Sequence, residues 1–523
     1  MSLLKEALID FKNLSNKTKS ISNAVSNVGL ESKGFNLQTS PNNLVKWSRE
    51  QEAVLESNQK NLTVVALAGS GKTQTALEYI KRRHFQKWIY LVFNRSMKDE
   101  VQNQVANMKA TTLHAHVFPK YGLPLQHKLN KEIDYQKILQ ISQAKPPFIL
   151  EKLYAQLLWE TVANFAQSSD AIIALQHIPN QLWWKVLKHP ANNTTAQQIV
   201  KEAYYLWEAC IDARNSIPTS HDHYLKLAQL SGMEWNSPTL LDEAQDASAC
   251  MLSLIENQSN PWVMMGDPYQ TLYTFRGAVG NFSKEKNPLA LTGSFRFGEN
   301  IAYLANLALE QLQSEWFLQG KSSCKGFIKE ENKPNKGDVI LTHTNEKALW
   351  WGLQLMEKGH SVHWLGSMHS TLETLKELDY WRQGNKPNRL EWSSFTFKEY
   401  ENWLERNPDH PDATNFKWLE KINPNHVVWK DLQKSKEKEN PDFMIGTTHQ
   451  SKGLTFKKVF IDMELFESCK TASSYSDKIE AWKRMYVALT RSSQSIHSME
   501  GSLELLKSIP QIANQTLNCF DED

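Results

Sequence analysis

The sequence predicts an α/β protein built on parallel sheets. A short apolar run, LTVVALA at residues 62–68, is followed directly by GSGKT and then by a helix that ends in basic residues. A second apolar run, WIYLVF at 88–93, comes next, and further runs of this kind return after residue 286. Apolar runs without alternation are typical of strands buried on both faces of a parallel sheet. Their repetition with helices between them indicates two domains of the same class.

The composition is that of a globular chain. Its 523 residues suit about three or four domains, and 41% hydrophobic with 22% charged residues excludes a mostly disordered chain, a collagen and a coiled-coil rod. The net charge of +2 neither indicates nor excludes a nucleic-acid partner, because a binding groove needs only a local positive lining. The five cysteines form no CxxC pair, which argues against a disulfide framework or a cysteine zinc site.

The beginning of the sequence carries no targeting signal that we recognise. Lys5, Glu6 and Asp10 interrupt the first ten residues, so we expect no signal peptide. No stretch approaches the roughly 18 apolar residues that a membrane-spanning helix needs. We therefore expect no membrane partner and a cytoplasmic location, or a nuclear one in a eukaryote.

Changes of pattern along the chain predict the domain boundaries. Residues 1–45 form an N-terminal extension whose apolar residues fit a helix that lies on the body of the protein or docks a partner. The other predicted parts are a first α/β domain (46–119 and 231–285), its helical insertion (120–230), a second α/β domain (286–366 and 441–510), a small second insertion (367–440) and a tail (511–523).

The run ALAGSGKT predicts a phosphate-binding loop. It nearly matches G-x-x-x-x-G-K-[ST], with Ala66 in place of the first glycine. Gly69 and Gly71 would let backbone N–H groups converge on phosphate oxygens, and the following helix adds the positive end of its dipole. Lys72 would reach the β- and γ-phosphates, and Thr73 would hold Mg²⁺ through its hydroxyl. The pattern predicts a nucleotide site.

An acidic run, DEAQD at 242–246, follows an apolar strand and predicts the second half of that site. Asp242 would bind Mg²⁺, and Glu243 would orient and deprotonate the attacking water. Acidic residues also favour the first turn of a helix. Beside a phosphate loop, the catalytic interpretation is the stronger one.

Short motifs follow one another through the chain. They are WSREQEAV, ALAGSGKT, LVFNRSMKDEV, ATTLHAH, LLDEAQD, GDPYQTLYTFRGA, LTGSFRF, GTTHQSKGLTFKKVFI and YVALTRS. In this order they resemble the UvrD/Rep/PcrA branch of superfamily 1 DNA helicases over most of residues 47–495, and the smaller insertions resemble the helicase part of the F-box DNA helicase. A single motif of this kind is weak evidence, whereas the ordered set is specific.

The resemblance implies two RecA-like P-loop domains, each with a mainly helical insertion, and ATP with Mg²⁺ in the cleft between them. Gln270 would sense the γ-phosphate, and Arg296 and Arg491 would come from the second domain as arginine fingers. Gln51 would read the adenine, and Phe295 would stack on it. The implied nucleotide contacts are Gln51, Ala68, Gly69, Ser70, Gly71, Lys72, Thr73, Gln74, Phe295, Arg296 and Arg491.

The resemblance also implies a track for single-stranded DNA across both domains. Base–aromatic stacking is worth roughly 1–3 kcal/mol per base and tolerates any sequence. The implied stacking residues are Phe93, Tyr273 and Phe275, and the implied backbone or base contacts are Thr112, His114, Arg276 and His449.

The sequence departs from the family at three motif positions. Thr455 stands where the family has Glu, Phe295 replaces a tyrosine and Ser294 replaces an asparagine. The second insertion is also much shorter than its counterpart in the large bacterial helicases. With Thr455 in place of Glu, the resemblance does not imply the family's ribose contact. With a shorter second insertion, it does not imply how unwinding is regulated.

Two hypotheses about function follow. The first is an ATP-hydrolysing DNA helicase that moves 3′ to 5′ on single-stranded DNA and acts at junctions with duplex DNA. The second is a DNA-stimulated ATPase switch that remodels or strips protein–DNA complexes, in recombination control or phage defence, without processive unwinding. A protein partner would bind the N-terminal extension or the second insertion.

Overall fold

The computed structural model describes residues 46–509, apart from a set of short gaps. The gaps are residues 94, 130, 132, 143–145, 147–149, 190–193, 273–281, 283–286, 367, 388–391, 393–394, 407–410 and 422–439. The predicted N-terminal extension and tail lie outside the described residues. Among the described helices, none has the length and apolar character needed to span a bilayer.

The chain divides into two compact units, the first ending at Thr292 and the second beginning at Gly293. The strands of the first unit are β1 (Asn61–Ala66), β2 (Trp88–Leu91), β3 (Met108–Thr111), β4 (Thr239–Leu241), β5 (Trp262–Gly266) and β6 (Leu289–Leu291). Its helices are α1 (Arg49–Leu55), α2 (Lys72–Arg82), α3 (Arg95–Val101), α4 (Leu113–Val117), α5 (Tyr135–Ile141), α6 (Glu151–Gln167), α7 (Asn180–Leu187), α8 (Ala196–Ile211), α9 (His221–Leu230) and α10 (Ala249–Glu256).

The sheet of the first unit has the strand order β3-β2-β4-β5-β1-β6, and every neighbouring pair is parallel. Both of its faces are covered, because alternate side chains of β2 enter two different cores. Tyr90 packs with the core that contains Val64, whereas Ile89 and Leu91 pack with the core on the opposite face. The apolar runs predicted as doubly buried strands therefore form such strands, and the predicted α/β class is confirmed.

The second unit repeats this plan. Its strands are β7 (Gly293–Ser294), β8 (Gln319–Gly320), β9 (Phe327–Glu330), β10 (Val339–Thr342), β11 (Val362–Trp364), β12 (Phe443–Thr447), β13 (Phe456–Ile461) and β14 (Ser492–Ser498). Six of them form a sheet of order β11-β12-β10-β13-β14-β9 with parallel neighbours. Its helices are α11 (Glu299–Gln311), α12 (Asn345–Glu357), α13 (Met368–Arg382), α14 (Phe397–Arg406), α15 (Pro411–Lys421), α16 (Met463–Thr471), α17 (Tyr475–Leu489) and α18 (Ser502–Ser508).

Helices α5 to α8 of the first unit enclose a core of their own. Two buried lysines close the C-terminal ends of its long helices, where backbone carbonyls lack helical partners. Lys128 Nζ donates to the carbonyls of Ala209 and Cys210 at 2.8 and 2.9 Å, at the end of α8. Lys226 Nζ donates to Ser168 O at 2.9 Å, just beyond α6. Each ammonium also meets the negative end of a helix dipole.

Helices α13 to α15 form a second small core, rich in aromatic side chains. The rings of Trp381 and Trp392 stack with centroids 5.6 Å apart. Both Trp392 Nε1 and the Tyr400 hydroxyl donate to Asp412 Oδ2, at 3.0 and 2.9 Å. This buried carboxylate therefore joins the segment after α13 to helices α14 and α15.

Candidate nucleotide-binding site

The loop between β1 and α2 has the backbone of a phosphate cradle. Gly69 and Gly71 have φ angles of 75° and 77°, in the left-handed region that favours glycine. The Ser70 N–H donates to Leu67 O at 3.1 Å, which closes the turn. Ser70 Oγ is buried and has no hydrogen-bond partner among the described residues. Such a loop directs its remaining N–H groups to one place, at the start of a helix.

Lys72 begins α2 and lies between the two predicted carboxylates. Its Nζ is 2.9 Å from Asp242 Oδ1 and 2.6 Å from Glu243 Oε1. Burial alone would lower the pKa of Lys72, but the charges and hydrogen bonds of these carboxylates outweigh it and raise the pKa. The ammonium is therefore a firmly protonated cation at the phosphate loop.

Asp242 is held by two hydroxyl groups. It is 1% exposed, and its Oδ2 accepts hydrogen bonds from Tyr90 Oη at 2.7 Å and Thr73 Oγ1 at 3.5 Å. Burial first, and then the negative charge of Asp242, raises the pKa of Tyr90, so the phenol stays a donor. A carboxylate and a hydroxyl oxygen are the ligands that Mg²⁺ prefers, so Thr73 and Asp242 fit this ion.

Glu243 has a left-handed backbone, with φ 56°, which is costly for a residue that carries a Cβ. Its Oε2 accepts a hydrogen bond from Gln245 Nε2. Gln245 Oε1 in turn accepts the backbone N–H of Asp267 at 3.1 Å, and Asp267 Oδ2 accepts from Gln270 Nε2 at 2.8 Å. A network of hydrogen bonds therefore connects Glu243, the predicted general base, with Gln270, the predicted γ-phosphate sensor.

The sequence did not predict two residues of this hydrogen-bond network, Gln245 and Asp267. Gln245 has no exposed surface, and a Cβ atom at Gly266 would overlap its Oε1. Asp267 is 2% exposed. Both residues lie inside quoted motifs, so their position in the sequence was visible, but the direction of their side chains was not. The same holds for Tyr90, which lies in the predicted strand β2.

The other predicted nucleotide contacts of the first unit lie on or behind the loop. Ala68 is buried, Gln74 is exposed on α2, and Gln51 lies on α1 behind the loop, where its Nε2 donates to Thr75 Oγ1 at 3.1 Å. The roles of these residues towards a nucleotide stay predictions.

The second unit brings two of its predicted residues together. Arg296 Nη1 donates to Thr490 O at 2.8 Å, directly before Arg491. Arg491 is 1% exposed, and its guanidinium donates to Val487 O at 3.0 Å and Leu454 O at 3.2 Å. Phe295 is 47% exposed. Arg491 thus has a structural function at the end of α17, besides the role that the resemblance implies.

The described DNA-contact candidates occupy loops and a helix start. Thr112 caps α4 by accepting the Ala115 N–H at 3.2 Å. His114 Nε2 lies 3.4 Å from Asp222 Oδ1, on α9. Phe93 and His449 are half-buried, in the loops after β2 and β12. Tyr273, Phe275 and Arg276 lie outside the described residues.

One family of nucleotide-binding proteins matches a large part of this chain. Residues 47–289 match the UvrD/REP helicase N-terminal domain. This confirms the resemblance predicted from the motifs. A RecA-like fold, and ATP with Mg²⁺ as cofactors, are properties of that family. The match spans the phosphate loop, the acidic run and Gln270.

Two relatives extend the likeness beyond the helicase N-terminal domain. The chain is 24% identical to F-box DNA helicase 1 of Gallus gallus, with 88% of this chain and 50% of the relative covered. It is 25% identical to F-box DNA helicase protein 1 of Schizosaccharomyces pombe, with 83% and 55% covered. The chain spans about half the length of these two relatives.

A solved structure of the PRRSV helicase also aligns with the chain. The alignment covers 89% of this chain and 56% of the other at 10% identity, with a TM-score of 0.31. This likeness is too weak to support any conclusion.

Proposed function

We propose that this protein is an ATP-driven DNA helicase that moves along single-stranded DNA. The observation that carries the proposal is the pairing of Lys72 with Asp242 and Glu243 at a loop whose glycines have left-handed backbones. The chain of motifs from residue 47 to residue 495 supports it. The two domains of the proposal keep the boundaries predicted from the sequence, including the 120–230 and 367–440 insertions.

Each side chain of the site has a task in ATP hydrolysis. Lys72 would neutralise charge on the β- and γ-phosphates, and Thr73 with Asp242 would hold Mg²⁺, which supplies further charge neutralisation when it is bound. Glu243 would accept a proton from the attacking water. The water oxygen would then bond to the γ-phosphorus while the bond from that phosphorus to the leaving ADP oxygen breaks. Gln270, joined to Glu243 through Gln245 and Asp267, would report the γ-phosphate.

The second unit would supply the remaining charge. We propose that Arg296 and Arg491 approach the phosphates when the two domains close, while Phe295 stacks on the base. Hydrolysis would then depend on closure, and closure would depend on the nucleotide. This coupling would move single-stranded DNA past Phe93, Thr112, His114, Tyr273, Phe275, Arg276 and His449.

One experiment distinguishes the DNA helicase from the DNA-stimulated ATPase switch. ATP hydrolysis is measured with and without single-stranded DNA, and strand separation is followed on duplexes with a 3′ tail, a 5′ tail or blunt ends. We expect DNA-stimulated hydrolysis and unwinding of the 3′-tailed duplex. Glu243→Gln provides the control for contaminating enzymes.

Other outcomes have clear meanings. Unwinding from the 5′ tail would reverse the polarity that the family resemblance supports. Strong stimulation by DNA without strand separation on any tail would support the second hypothesis, a switch that strips or remodels protein–DNA complexes. Absence of stimulation by DNA would contradict both.

A further inference from the structure

The segment from residue 171 to residue 201 has no acidic side chain. The whole chain has 57 aspartates and glutamates among its 523 residues, so a gap of this length is unusual. The segment carries three lysines, Lys185, Lys188 and Lys201. It contains α7 and the loop before it, and its charge favours an anionic partner.

Helix α7 buries one side and exposes a tryptophan on the other. Leu182 and Val186 are buried, and Trp183 packs against the core of helices α5 to α8. Trp184 is 57% exposed, and Leu187 on the same helix is exposed as well. A large aromatic ring that projects from a well-packed helix is a typical anchor of a binding surface.

Trp184 is paired with a lysine at the end of the same helix. Lys188 follows the last residue of α7, and its Nζ lies 5.8 Å from the centroid of the Trp184 ring. The helix dipole accounts for a cation at this end, but not for the exposed ring. The pair offers an aromatic surface for a base and an ammonium group for a phosphate, which is the combination that binds single-stranded nucleic acids.

A second exposed tryptophan has the same local geometry in a different charge environment. Trp350, on α12, is 48% exposed, and Lys347 Nζ lies 4.5 Å from its ring centroid. Glu346 directly precedes Lys347 in the sequence, and its carboxylate would repel a phosphate. The two pairs therefore differ in the acidic residues near them, and this difference favours Trp184 as the contact for an anionic ligand.

We propose that Trp184 and Lys188 form a binding surface for single-stranded DNA on α7, outside the helicase motifs. Trp184 would stack on a base, and Lys188 would contact a phosphate. Lys185, exposed on the same helix, would add to the positive charge. Because stacking tolerates any base, the surface would hold a strand of any sequence. The inference goes beyond the proposed helicase and rests on it only for the choice of DNA as the nucleic acid.

Fluorescence anisotropy with a labelled oligothymidylate tests the proposal. We expect Trp184→Ala to weaken binding roughly five- to a hundredfold, as the loss of one stacked base would, and Trp184→Phe to bind nearly like wild type. Lys188→Gln should reduce the slope of log Kd against log salt concentration by about 0.7, because one phosphate contact is lost. The matched controls Trp350→Ala and Lys347→Gln should change neither quantity. ATP hydrolysis without DNA should be unchanged in every variant.

Photocrosslinking locates the contact directly. An oligonucleotide that carries bromodeoxyuridine couples to aromatic side chains under ultraviolet light. Mass spectrometry of the digested complex should find the peptide of α7 modified at Trp184. A crosslink found only outside α7 would contradict the proposal.

The binding experiment can also overturn the proposal. If Trp184→Ala and Lys188→Gln bind the oligonucleotide like wild type, the surface does not bind DNA. If labelled polyglutamate loses affinity in these two variants while DNA binding is unchanged, the partner is an acidic protein and the proposal fails. An equal loss of DNA binding in Trp350→Ala would contradict the selection of Trp184. Failure of the helicase proposal is seen separately, as DNA binding through Trp184 without DNA-stimulated hydrolysis.

Discussion

Lys72 Nζ lies 2.6 Å from Glu243 Oε1, so the cation proposed to contact phosphate and the carboxylate proposed as general base form an ion pair. Against the lowering effect of burial, Asp242 and then Glu243 raise the pKa of Lys72, and the ion pair lies where the Glu243 backbone has a conformation that is otherwise unfavourable. A phosphate that approaches Lys72 would therefore also approach the proposed general base, Glu243.

Glu243→Gln should abolish turnover while the protein stays folded. Glutamine has nearly the same shape and can accept the Lys72 hydrogen bond, but it cannot take a proton. General-base catalysis contributes about 10²–10⁴-fold, and we expect a loss in that range. The measurement is DNA-stimulated ATP hydrolysis together with the thermal midpoint. The exposed Glu56→Gln is the matched control, and a Glu243→Gln enzyme with wild-type rate would contradict the assignment.

Gln245→Leu should lower kcat with little change in the KM for ATP. Leucine keeps the volume but removes the links from Glu243 and Asp267 to the amide. Gln258 is a matched control, because it is also a buried glutamine of the first unit and donates to Met233 O and Leu254 O. Gln258→Leu should reduce the thermal midpoint and leave kcat unchanged. Equal kcat losses in both variants would show that Gln245 acts only through stability.

Arg296→Ala and Arg491→Ala should differ in their effect on stability. Arg491 is buried and donates to carbonyls at the end of α17, so its removal leaves buried acceptors unpaired and costs about 1–3 kcal/mol. Arg296 is only half-buried, and it donates to Thr490 O. We expect both variants to lose turnover and only Arg491→Ala to melt clearly earlier. Equal melting temperatures would contradict the structural role of Arg491.

His223 should make the first unit sensitive to acid. Burial between Trp159 and Trp207 lowers the pKa of His223 from 6.5 to about 4, although Asp222 opposes the shift and Lys128 adds to it. Between these two values the unfolded chain binds the proton and the folded chain does not, so stability falls as the pH drops from about 6.5 to about 4. The full effect is roughly 3 kcal/mol.

Urea unfolding at pH 7.5 and pH 5 measures this effect. His223→Gln should show a smaller loss of stability between the two pH values than wild type, and His84→Gln, at an exposed position, should behave like wild type. An unchanged pH dependence in His223→Gln would mean that other groups cause the loss.

The strands and the phosphate loop could be predicted because their signals are local. Six or seven apolar residues before a glycine-rich turn predict β1, and left-handed glycines at 69 and 71 follow from the need for close backbone approach. The burial of each tryptophan is harder to predict from the sequence. Trp159 and Trp183 pack against the core of helices α5 to α8, whereas Trp184 is 57% exposed, because adjacent residues on a helix point to different faces.

The side chains that hold the site could not be predicted in the same way. Tyr90 reads as an ordinary core residue of β2, and only the tertiary structure places its hydroxyl on Asp242, 152 residues later in the sequence. Gln51 was predicted as a base contact from its motif. Nothing in the motif shows that its amide bonds to Thr75, because that contact depends on how α1 packs on α2.

The strand order of the first sheet has a consequence for synthesis on the ribosome. Val64 of β1 pairs with Met265 of β5 and Leu289 of β6, about 200 residues downstream. At about 5–20 residues per second, β1 would wait roughly 10 to 40 s for these neighbours. The helical core ends at residue 217, so all of its residues are synthesised before that moment. Nascent chains would therefore hold the apolar strand β1 without either of its sheet neighbours during this interval, and a chaperone that covers β1 would act then.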